Sequence, residues 1–87
     1  MSVFNYNSGD IYYEVKGNGD PIVLIHGFGL DSRIWNAQVE ELSKTNTVIA
    51  YDMRGFGRSS VPSGQYSHVE DLHELLKYIG VSEAKIV

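Results

Sequence analysis

Apolar and polar positions along this chain change period several times, and each change marks an element. Residues 3–6 and 11–15 are aromatic and β-branched runs on either side of Asn7-Ser8-Gly9-Asp10. That pattern predicts an antiparallel hairpin whose turn needs Gly or Asn at positive φ. Residues 16–21 collect breakers, and Pro21 belongs at the edge or start of the next strand, predicted over 22–26. Residues 30–43 predict a helix capped by Asp31 or Ser32, with Ile34, Trp35, Val39 and Leu42 inward and Gln38, Glu40 and Glu41 outward. The run 47–52 is apolar enough for a strand buried on both faces. Residues 53–66 form a long Gly- and Pro-containing loop. A second helix is predicted over 67–79. Ser67 and Glu70 have capping-box spacing, Val69, Leu72, Leu75, Leu76 and Ile79 form one stripe, and Gly80 terminates it. Residues 85–87 open a further strand. The order ββ-β-α-β-α-β predicts an α/β fold: a largely parallel sheet with an antiparallel hairpin at one edge.

Composition narrows the possibilities. At 87 residues, the chain is one domain or part of one, and burial of roughly 60–65% of its unfolded surface makes a marginal core. It has no cysteine, so disulfides and thiolate metal sites are excluded. A formal charge of −4 argues against a nucleic-acid partner, because phosphate neutralisation needs a basic face. No stretch approaches the ~20 apolar residues of a membrane span, and the start lacks the basic and apolar regions of a signal peptide. A cytoplasmic protein without a membrane association is expected.

The candidate chemistry sits where two apolar runs stop. Residues 22–25 end in His26-Gly27-Phe28-Gly29, and residues 47–51 end in Asp52-x-Arg54-Gly55-x-Gly57-Arg58-Ser59. A strand-to-helix loop with little side chain at its centre can present a backbone N–H to developing negative charge on oxygen, as acyl transfer requires. An Asp at a strand end and nearby Arg side chains can hold a glycine-rich loop in place. Together these motifs resemble the N-terminal part of the α/β-hydrolase family, in its esterase, enol-lactonase and haloperoxidase-like branch. The resemblance extends to Tyr66, Ser67, Asp71 and Leu72 and covers essentially the whole chain.

The resemblance implies that Phe28, after His-Gly, supplies one oxyanion-hole N–H. It implies that His26 holds its loop rather than acting as a base. Gly27, Gly29, Asp52, Arg54, Gly55, Gly57 and Arg58 are expected to be loop scaffold. The nucleophile in this family lies in Gly-x-Ser-x-Gly, which does not occur in residues 1–87. Ser59 and Ser60 lie in a loop, and Ser67 reads as a cap. His68 and His73, five apart, are expected to face solvent and not to bind metal. Asp71 and Glu74 are expected on the hydrated side of their helix. Tyr12, Tyr13, Tyr51 and Trp35 read as packing residues.

In the family, the strand near Ala84 leads into the nucleophile elbow. Residues 1–87 are therefore expected to be a partial domain ending before that elbow, without nucleophile, acid or base and inactive alone. The whole protein would hydrolyse a small ester-like substrate, with no cofactor or metal called for. An exposed apolar sheet edge predicts self-association or pairing with a complementary C-terminal fragment. Two other readings remain open here. One is a non-catalytic α/β binding or interaction module. The other is a dinucleotide-binding β-α-β unit, which Gly27-x-Gly29-x-x-Ser32 followed by Asp52 imitates, although Ser32 stands where Gly or Ala is wanted.

Overall fold

The first residues pair as their alternation requires. In the computed structural model, which describes residues 2–62 and 64–87, β1 (Ser2–Tyr6) and β2 (Gly9–Lys16) form an antiparallel hairpin with Tyr6 opposite Gly9. Asn7 and Ser8 make the turn, both at positive φ, as a two-residue hairpin turn with matching twist requires. Gly9 is thus a strand residue rather than a turn residue. Its missing side chain makes room for the Arg54 guanidinium, which a Cβ there would strike.

The remaining strands are β3 (Asp20–Leu24), β4 (Asn46–Tyr51) and β5 (Lys85–Ile86), in the sheet order β1-β2-β4-β3-β5. β2 runs antiparallel to β4, whereas β3 is parallel to both β4 and β5. β3 begins and ends two residues earlier than its apolar run predicts. The ladder continues beyond it through the bond from Ile25 N–H to the Val87 carbonyl. Pro21 sits second in β3, where the missing donor is tolerated.

The predicted first helix divides into a 3₁₀ turn (Ser32–Trp35) and α1 (Asn36–Leu42). Asp31 caps the turn, accepting from Arg33 N–H at 2.9 Å. Val39 is buried, but Ile34 is exposed because the tighter 3₁₀ winding turns it away from the sheet. α2 (His68–Ile79) starts at the Ser67 cap and stops at Gly80, whose φ is 85°. Ser67 Oγ accepts from Glu70 N–H at 3.3 Å. The reciprocal arm of the capping box is diverted, since the Glu70 carboxylate accepts from the Tyr6 hydroxyl. That bond pushes Tyr6 up to about 12.

The two helices cover opposite faces of the sheet. Val39 of α1 packs with Leu24, Val48 and Ala50. Leu75 of α2 packs with Phe4, Ile11, Val23, Ile49 and Tyr51. β4 is therefore buried on both faces, as its continuous apolar run predicts. Leu75 has no solvent exposure, and burial of such a side chain contributes about 1.5–3 kcal/mol. Val69 departs from the predicted stripe and is 80% exposed. The sheet-facing part of α2 begins three residues later, at Leu72.

Candidate active site at the ends of two parallel strands

β3 and β4 are neighbours, yet the loop after β3 leads to α1 on one face and the loop after β4 leads to α2 on the other. In an open α/β sheet, such a reversal opens a crevice at the carboxyl ends of the strands, where ligands bind. Both glycine-rich motifs lie there. An open, mainly apolar hollow is lined by His26, Gly27, Phe28, Met53 and His68.

His26 is buried and spans the two loops. Its Nε2 accepts from Met53 N–H at 2.9 Å, and its Nδ1 lies 2.8 Å from the Gly27 carbonyl. These partners suit one neutral tautomer, with the proton on Nδ1. The nitrogen that could take a proton is already occupied by a backbone donor, so His26 ties loop to loop. Phe28 follows at the crest of the turn and is 75% exposed. Among the described residues, none accepts a hydrogen bond from its N–H. Gly29 takes φ 82°, with open space where a side chain would stand.

The loop after β4 is held by buried polar groups. Asp52 is 1% exposed. Its Oδ1 accepts from Ser32 N–H at 2.8 Å and its Oδ2 from Arg58 N–H at 3.0 Å. Gly57 has φ 53°, and a Cβ there would lie 2.5 Å from Asp52 Oδ2. With both carboxylate oxygens engaged in burial, Asp52 is not presented to a ribose as a dinucleotide fingerprint requires. Ser59 Oγ donates to the Asp52 carbonyl and accepts from Tyr12 N–H, and Ser60 Oγ accepts from Asp10 N–H. The two hydroxyls zip the loop onto the edge of β2.

Arg54 is 3% exposed and meets Asp71 through two parallel bonds, Nε to Oδ2 at 2.8 Å and Nη2 to Oδ1 at 3.0 Å. Nη2 also donates to the Tyr6 carbonyl at 2.7 Å. One guanidinium thus joins the loop, α2 and the hairpin turn. The fork geometry is the one Arg makes with carboxylates, and Asp71 raises the Arg54 guanidinium above its ordinary value. Asp71 corrects the sequence expectation: it is buried, because this partner satisfies it. Glu74 is also half-buried rather than hydrated. Asp31, at the loop's outer side, is lowered to about 2, chiefly by the Arg33 guanidinium.

His68 is the second correction. It is half-buried among rings, with its centroid 5.9 Å from Phe28, 6.4 Å from Phe56 and 5.2 Å from Tyr66. His73 remains exposed. Trp35 is half-buried, and its Nε1 has no partner among the described residues. The sequence reading gives Phe56 no role and expects His68 in solvent.

Comparison with known proteins agrees with this geometry. A family profile described as alpha/beta hydrolase fold matches residues 20–87. A Synechocystis protein with the provisional name non-heme chloroperoxidase is 46% identical over 82 residues, which is 90% of this chain and 30% of its own length. A solved structure described as an N-acyl homoserine lactone degrading enzyme superposes with a TM-score of 0.92 at 35% identity, covering 98% of this chain and 34% of that one. Bromoperoxidase from Bacillus anthracis gives 0.82 at 43% identity, with coverages of 90% and 30%. The chain spans about 30% of the length of the curated relatives it matches. With the profile matched over residues 20–87 and solved relatives superposing on nearly all of the chain, the chain belongs to the α/β-hydrolase fold family.

Proposed function

We propose that residues 1–87 are the N-terminal part of a serine-type α/β-hydrolase domain and supply one oxyanion-hole donor, the Phe28 N–H. The substrate would be an ester, a lactone or a similar small molecule. The observation that carries this reading is the position of Phe28. Its N–H stands uncommitted at the carboxyl end of β3, beside the crevice, on a turn tied down by His26. As a serine attacks the carbonyl carbon, charge gathers on the carbonyl oxygen, and a preorganised N–H aimed there stabilises the tetrahedral intermediate. The serine, its base and its acid would come from sequence beyond Val87. The names of relatives support this substrate class: one is a pimeloyl-[acyl-carrier protein] methyl ester esterase of Vibrio atlanticus.

The same reading makes residues 1–87 inactive alone and leaves their β5 edge in need of a neighbour. Ile86 and Val87 are 53% and 59% exposed, and an open apolar edge is a template for strand addition. A complementary C-terminal fragment, or a second copy, would cover it. A fluorophosphonate probe tests the assignment. It should label a serine of the whole gene product that lies outside residues 1–87, and leave residues 1–87 unlabelled when expressed alone. Labelling of any serine within this chain would overturn the reading.

A further inference from the structure

Phe28 sits between two glycines; His26 anchors the N-terminal side of the turn, and among the described residues the contacts that reach beyond the turn from Phe28 itself are made by its ring. Gly29 occupies the left-handed region with open space on its side-chain side, and the local bond from Leu30 N–H to the Gly27 carbonyl closes the turn without fixing its outer edge. The Phe28 ring stacks on Phe56 at 5.4 Å and 12° and leans on His68 at 5.9 Å and 48°. Phe56 in turn meets the buried His26 ring edge-on at 5.5 Å. His68 is the first residue of α2, placed by the Ser67 cap, three residues before the Asp71 that Arg54 holds. The ring cluster therefore runs from a fixed helix start to the exposed crest of the turn.

We infer that His68 is a positioning residue: with Phe56 it clamps the Phe28 side chain and so fixes the direction of the Phe28 N–H. This rests on the oxyanion role proposed above for that N–H. The imidazole is used as a flat face, and Phe at this position would serve as well. Without a ring at position 68, Phe28 keeps one of its two ring contacts and the turn gains freedom. Removing an oxyanion donor outright costs on the order of 10²–10³ in kcat, so a loosened donor should cost about tenfold.

The test uses the whole gene product and two readouts. By ¹⁵N relaxation, the Phe28 amide order parameter should fall from a rigid value of about 0.85 to below about 0.6 in His68→Ala and remain high in His68→Phe. With a p-nitrophenyl ester, His68→Ala should lower kcat about tenfold with KM within about twofold, and His68→Phe should restore kcat to within about twofold. Where His68→Ala shifts the urea midpoint, His68→Gln, of similar reach but without a ring, is read in its place and should behave as the alanine variant does. An unchanged Phe28 order parameter in the ringless variant overturns the inference. A wild type in which the fluorophosphonate probe labels no serine overturns the proposed function instead, and the relaxation measurement then still decides the clamp.

Discussion

The two loops that leave the parallel strands β3 and β4 are built on opposite terms. The loop after β3 is short, exposed and glycine-flanked, and it presents a backbone donor. The loop after β4 is long, and buried polar bonds from Asp52, Arg54, Ser59 and Ser60 fix its path. The two meet through His26, whose Nε2 takes the Met53 N–H. The contrast teaches where rigidity comes from at a site that must remain open. On the proposed reading, a donor aimed at a substrate cannot itself be satisfied by the protein, and the fixing bonds lie one loop away.

That contrast can be broken from the pinned side with the largest effect. Arg54→Ala strands the Asp71 carboxylate in the core, and loss of one member of a buried pair costs about 3–5 kcal/mol. For a chain of this size, that should abolish cooperative urea unfolding. Phe28→Ala, at the exposed crest, should move stability by only about 0.5 kcal/mol. A matched glycine pair sharpens the comparison. Gly57→Ala meets both a positive φ and the Asp52 carboxylate, and should cost about 3 kcal/mol from strain and overpacking together. Gly29→Ala meets the φ alone and should cost about 1–2 kcal/mol, read from the same unfolding curves. Equal costs would mean that the loop after β3 is packed as tightly as the other.

Smaller effects follow at the starts of the two helical segments. Ser67→Ala removes the acceptor for Glu70 N–H and should cost about 1 kcal/mol, again by urea midpoint. At the 3₁₀ turn the check is a titration. Asp31 is depressed to about 2 by Arg33, so its contribution is present above the ordinary carboxylate value and is lost as pH falls through about 2. A carbon-detected NMR titration should place the Asp31 midpoint near that value. In Arg33→Ala the midpoint should return toward about 3.9.

Much of the fold was legible because it is written in local periodicity. The buried run of β4, the Ser67 cap, the Gly80 stop and the parallel pairing of residues 85–86 all follow from spacing and residue type. What escaped depends on partners distant in sequence. Asp71 reads as a solvated helix residue until Arg54, 17 positions earlier, is placed against it. Val69 fits the helical stripe, yet the stripe's first turn has no sheet beneath it. His68 read as solvent-facing because the rings that half-bury it come from two other loops. In the candidate site, the glycines and His26 were legible as turn chemistry. The aromatic cluster was not, since stacking leaves no spacing rule in a loop.

The central claim is that the Phe28 N–H is a catalytic donor, and one atom decides it. In the whole gene product, semisynthesis can replace Phe28 by the corresponding phenyl-bearing hydroxy acid, which keeps the ring and exchanges the N–H for an ester oxygen. The account predicts a fall in kcat of about 10²–10³ toward a p-nitrophenyl ester, with KM little changed. A kcat within about threefold of the parent would contradict it.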